Sequence, residues 1–135
     1  MAVQLSTSVR NARLDAIEST IGTSAILKIR TGAQPATCAT ADSGTVLATM
    51  TLPSDWLAAA SSGSKAKSGT WQDTSADATG TAGHFRIYAS DGTTAHIQGT
   101  VTATGGGGDL TLDNTSIASG QSVTISSFSI TAANS

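Results

Sequence analysis

A single cysteine, Cys38, is the only thiol in this sequence of 135 residues, so no internal disulfide can form. Charge is equally scarce. Seven basic and nine acidic residues leave a net charge of −2, which provides neither the basic footprint of nucleic-acid binding nor a polybasic membrane patch. No apolar run is long enough to span a bilayer, and Arg10 and Arg13 interrupt the stretch where a signal peptide needs continuous hydrophobicity. Synthesis in a cytoplasm is therefore expected. Two tryptophans, two phenylalanines and one tyrosine supply all the aromatic area, which predicts a thin core. What is abundant is small: alanine, threonine, serine and glycine make up more than half the chain. The low net charge and strong apolar alternation argue against a solvated coil, and the length suits one domain that buries a core without metal or disulfide help.

The stretch HFRIYASDGTTAHIQGTV, residues 84–101, holds both histidines, the tyrosine and an arginine. Phe85, Ile87 and Ala89 alternate with His84, Arg86 and Tyr88, and the period repeats beyond Asp91-Gly92 through Ala95, Ile97 and Val101. A two-residue Asp-Gly loop would set Ile87 against His96, mixing apolar and polar residues on one face. A loop of three or five residues sets Ile87 against Ile97, Ala89 against Ala95, Tyr88 against His96, Arg86 against Gln98 and His84 against Thr100, as a one-sided core requires. In that register the two histidines lie roughly 13 Å apart, too far to share a zinc ion held at about 2.0–2.1 Å from each. A general base among them would need a nucleophile and an orienting group within hydrogen-bond reach, and the neighbours are Tyr88, Gln98 and threonines. The polar face of His84, Arg86, Tyr88 and His96 therefore reads as a solvated or partner-covered surface.

Ser6 or Thr7 can cap a helix that runs to about Ile21, with Gly22 as its natural stop. Its apolar residues form two stripes, Leu5-Val9-Ala12-Ala16 and Leu14-Ile17-Ile21. One can cover the domain while the other meets either more of the same domain or a neighbouring subunit, and Leu14, Ile17 and Ile21 are the candidate contact stripe. Strands are expected at SAILKIR, with Ala25, Leu27 and Ile29 on one face, and at TVLATMTLP, with Val46, Ala48, Met50 and Leu52 aligned until Pro53. Residues 31–44 read as a loop. One or two short strands are expected around Trp56 and KSGTWQD, another at DLTLDN, and a bend at Ser126-Ser127, where Val123 and Ile125 fall out of phase with Phe128 and Ile130. These elements predict a mainly β chain, an antiparallel β-sandwich or jelly-roll-like barrel with one N-terminal α-helix. The helical segment covers 1–23 and the β-sandwich 24–135, in one domain overall.

Several motifs fail. Gly105–Gly108 leads into a strand and not a helix, so it is expected to be a flexible hairpin loop and not a phosphate cradle. GSKAKSGT lacks the P-loop order, no nucleophile elbow exists, and Cys38 has no histidine nearby in sequence. Asp91, Asp109 and Asp113 have no calcium-loop spacing and read as turn residues. No catalytic, cofactor or metal site is predicted. Trp56 and Trp71 are expected in the core, with a sugar-stacking platform as the alternative.

The segments LSTSVRNARLDAIESTIG, LKIRTGAQPA, GTVLATMTLPSDW, GTAGHFRIYASDGTTAHIQGTV and LTLDNTSIASGQSVTISSFSIT together resemble a family of small virion proteins of tailed bacteriophages and prophages, across nearly the whole chain. Within that family the likeness is greatest to head decoration, or cement, proteins. The resemblance implies a non-enzymatic role on the outer capsid surface, with the major capsid protein as partner and a dimer or trimer on the shell, and without nucleic acid, membrane or cofactor. A tail-fibre or baseplate component and a carbohydrate-binding module are the alternatives.

Overall fold

Ser6 accepts a hydrogen bond from the Val9 N–H and opens α1 (Thr7–Ile21), which ends where the Gly22 N–H bonds the Glu18 carbonyl. The structure, a computed structural model, describes residues 3–133. Beyond α1 come β1 (Ile26–Thr31), β2 (Val46–Thr51), β3 (Ser64–Ala66), β4 (Trp71–Asp73) and β5 (Gly80–Tyr88). They are followed by β6 (Ala95–Ala103), β7 (Leu110–Leu112), β8 (Ser116–Ile117), β9 (Val123–Ile125) and β10 (Ser129–Thr131). The main sheet runs β2-β1-β5-β6-β7, with β8 added to β5, and curls into a half-barrel. Two ribbons, β3–β10 and β4–β9, are separate from it, and their apolar side chains join its inner face in one core. The chain is mainly β, as the alternation predicts.

Two bulges set which residues point inward. Ile29 pairs with Ala48 but Arg30 with Val46, so the extra residue Leu47 turns into the core beside Ala48, Met50 and Leu52. In the hairpin, Ile87↔Ile97, Arg86↔Gln98 and His84↔Thr100 pair as alternation requires. Tyr88, however, pairs with Ala95 and not with His96, and Ala89 bonds Thr94 across a four-residue loop. The one-residue shift comes from a bulge at His96, not from an odd loop. Asp91 holds that loop by accepting the Thr93 and Thr94 N–H groups, which keep its carboxyl well below the usual range together with the Thr94 hydroxyl.

The glycine run is no hairpin. β7 lies parallel to β6, Val101 beside Leu110, although only six residues separate the strands and parallel returns ordinarily need a dozen or more. Glycine makes the short return possible: a Cβ on Gly108 would stand 2.8–2.9 Å from the side chain and backbone N of Thr102, whose hydroxyl accepts the Gly108 N–H.

Trp56, Trp71, Phe128 and Phe85 form a continuous line of rings with successive centroids 6.0, 5.5 and 5.7 Å apart, joining both ribbons to the sheet. Both tryptophans are fully buried, with indole N–H groups on the Gly22 and Ser68 carbonyls, so they offer no sugar platform. The bend at Ser126-Ser127 carries the chain from β9 to β10, as the phase change predicts.

The helix faces opposite to the expected contact stripe. Leu14 and Ile21 are buried and Ile17 packs half-buried against the core, whereas Val9, Ala12 and Ala16 face outward. The helix packs on the β3 ribbon, and the hydrogen bonds of Asn11, Asp15 and Glu18 to residues 57–65 fix which stripe turns inward. Leu14→Ala is accordingly expected to cost about 2–5 kcal/mol and Val9→Ser only about 0.5 kcal/mol, as read from urea denaturation midpoints.

Candidate functional site

Alternation on β1 and β5 places Lys28, Arg30, His84, Arg86 and Tyr88 on the outer face of the sheet, with Lys28 beside Arg86 and Arg30 beside His84. The lysine and two arginines set three positive charges on neighbouring positions, where they repel one another. The segment 32–44 resolves this by folding back over the face, its base closed by Thr31 N–H to the Thr45 carbonyl and Thr45 N–H to the Thr31 hydroxyl. It brings one carboxylate. Asp42 Oδ1 accepts from Arg86 at 2.6 Å and from the Tyr88 hydroxyl at 2.8 Å, while Oδ2 accepts from Arg30 at 2.9 Å. Burial alone would raise the Asp42 pKa, but the Tyr88 and Arg86 hydrogen bonds and the two guanidinium charges outweigh it and hold the carboxyl below its ordinary value.

The remaining Arg86 donors are used as well. Its Nη2 reaches the Thr37 and Thr40 carbonyls, and Nε and Nη2 share Gln98 Oε1, whose amide in turn donates to the Pro35 carbonyl. His84 donates from Nδ1 to the Gly32 carbonyl at 2.9 Å. That approach requires Gly83, because a Cβ there would stand 2.2 Å from the same oxygen. His84 Nε2 and Arg30 Nε have no protein partner. Lys28 turns away, over the Tyr88 ring and onto the Gly92 carbonyl.

His84, Arg86 and Tyr88 are therefore internal, and the reading of their face as an open or partner-covered surface is corrected: the chain's own loop covers it. His96 alone of that set is exposed, since the bulge turns it to the opposite edge, beside Ile17 of α1. Leu14 and Ile21 are likewise interior and do not form a contact stripe. Sequence reasoning missed Asp42 and Arg30. The detectable signal was charge imbalance: a face carrying two arginines and a lysine has to find an acid, and the adjoining loop contains one aspartate.

A second polar cluster fixes the helix. Buried Lys65 of β3 donates to Asp15 at 2.8 Å and to the Ala58 carbonyl, and pairs with Glu18 at 3.2 Å. Burial opposes its charge, but the Asp15 and Glu18 contacts prevail and raise its pKa. Asn11, Asp15 and Glu18 also accept the backbone N–H groups of Gly63, Ala60 and Leu57.

The open surface beside these clusters is a groove of about 390 Å³ between α1, β6 and β10, floored by Phe85 and Phe128 and flanked by Ile17, His96, Gln98 and Asp109. It adjoins a hollow of about 290 Å³ lined by Arg13, Ala16 and Ile21, with Ile17 and His96 common to both. No group of three or more metal-ligating side chains occurs among the described residues. Comparison with known protein families, curated proteins and solved structures returns no match for this chain.

Asp42→Asn leaves two buried guanidinium groups without a counter-charge. The expected loss is about 2–3 kcal/mol, less than the ~3–5 of a fully enclosed pair because a third of the Asp42 side chain meets solvent. Amide exchange should rise selectively in residues 32–44. Because the folded Asp42 pKa lies below 3.8, its contribution is present at neutral pH and lost as pH falls through the folded value. Acid titration of stability should show that loss in the wild type and not in Asp42→Asn.

Proposed function

We propose that this chain is a non-enzymatic structural protein of a tailed bacteriophage, a decoration or cement protein that binds the outside of the capsid through the major capsid protein. The phage assignment rests on the resemblance that spans nearly the whole sequence. The contact-making role rests on one structural observation. The large apolar residues left exposed among the described residues, Val3 at 79% and Val9 at 46%, both belong to the N-terminal segment, and Ala12 and Ala16 extend Val9 along the outer face of α1. Such a strip offers a partner apolar surface to bury. The Lys65 cluster holds α1 in place before any partner arrives, so little ordering entropy opposes association.

A cement protein works by adding many modest contacts across capsomer seams. On this reading the copies meet as a dimer or trimer on the shell, and each interface buries about 1,200–2,000 Å² in total. Cryo-electron microscopy of the particle tests the placement. The expected result is density on the outer head surface, and density confined to the tail would overturn it in favour of a fibre or baseplate component. A Val9→Asp, Ala12→Asp variant should cost the free protein about 1 kcal/mol while reducing retention on purified capsids about tenfold or more, the value of burying one valine. Undiminished retention would remove the outer strip of α1 from the contact.

A further inference from the structure

The groove beside β6 has features that a merely uneven surface lacks. Pairing between β6 and β7 begins only at Val101. The Thr100 N–H points away from β5, onto the Asp109 carboxylate, so by the two-residue period the N–H and C=O of Gln98 also point away from β5 and into the groove. No strand takes them up. Across the groove stands β10, which pairs with β3 on its other side. The floor between is apolar, made by Phe85, Phe128 and Ile97.

The ends differ in charge. The adjoining hollow carries Arg13, exposed and in no ion pair among the described residues, next to His96 and with no acid in its lining. Asp109 stands at the opposite end. We infer that this groove receives an extended segment of another polypeptide, which pairs its main chain with Gln98, sets alternate apolar side chains on the Phe85–Phe128 floor, and directs an acidic residue to Arg13 and His96. Main-chain pairing supplies affinity in such strand addition, while the pockets and the charged end supply orientation and choice. The inference deepens the reading of the chain as a contact-making protein, and names the kind of segment its partner offers.

Titration by ¹H–¹⁵N NMR tests it, with two capped peptides of alternating valine and threonine, one ending in glutamate and one in lysine. The expected result is that the glutamate peptide shifts the Gln98 amide and the Ile17 and Ile97 methyls, and binds about three- to fivefold more tightly than the lysine peptide, the factor one exposed ion pair supplies. Arg13→Glu, an exposed change that leaves the fold intact, should invert that order. Three outcomes would overturn the inference: no shift at Gln98 with either peptide, an order unchanged in Arg13→Glu, or the same shifts produced by raising the protein concentration alone, which would make a second copy the occupant. Peptide binding with no retention on capsids would instead sink the head placement and leave the groove standing.

Discussion

Two guanidinium groups and a phenol converge on one carboxylate, and the outer half of the molecule depends on that meeting. Arg86 sits on the central strand of the sheet at 2% exposure, and burying a guanidinium there would cost many kilocalories if it were unpaired. Asp42 compensates the charge from a loop that has no regular structure of its own. Because the carbonyls of Pro35, Thr37 and Thr40 are engaged at the same time, the segment 32–44 becomes a layer of the fold. The sheet is thus covered on both faces, by aromatic and aliphatic groups inside and by a polar network outside.

The same economy runs through the rest of the chain. Four of its five aromatic rings are spent on one line across the core, so few remain to hold the periphery. Hydrogen bonds do that instead. The helix is fastened by Lys65 and by three side chains that accept backbone N–H groups, and the parallel return of β7 is fastened by the hydroxyls of Thr100 and Thr102. A composition rich in threonine, serine and glycine suits this design, since hydroxyls substitute for missing partner strands and glycine lets backbones approach closely. One helix carries both apolar and polar attachments, which leaves its third face, with Val9, Ala12 and Ala16, exposed.

Local pattern made much of the architecture legible. Alternation placed β1, β2, β5 and β6 and the pairing of Ile87 with Ile97, and the cap residues bounded α1 to within a residue at its start. What alternation could not reveal was which polar face meets water. A strand reads as half-buried whether solvent or a loop covers its polar side, so His84, Arg86 and Tyr88 looked like a surface until Asp42 was placed above them. The two helix stripes were equally ambiguous, because choosing between them depends on which side of α1 meets β3 and its Lys65. The parallel return was hidden for a different reason: four glycines permit almost any path, and Thr102, which selects one, lies outside the loop.

On the proposed function, the contact surfaces are two exposed features that this internal network leaves uncovered: the outer strip of α1 and the groove at the edge of β6. That account stands or falls on the internal role of Arg86. A double-mutant cycle on denaturation free energy, combining Asp42→Asn with Arg86→Gln, measures it directly. The account predicts a coupling of about 1.5–3 kcal/mol, as for a charge-assisted hydrogen bond withdrawn from solvent. Additive effects, with coupling within about 0.3–0.5 kcal/mol of zero, would contradict it and return the polar face of the hairpin to the surface.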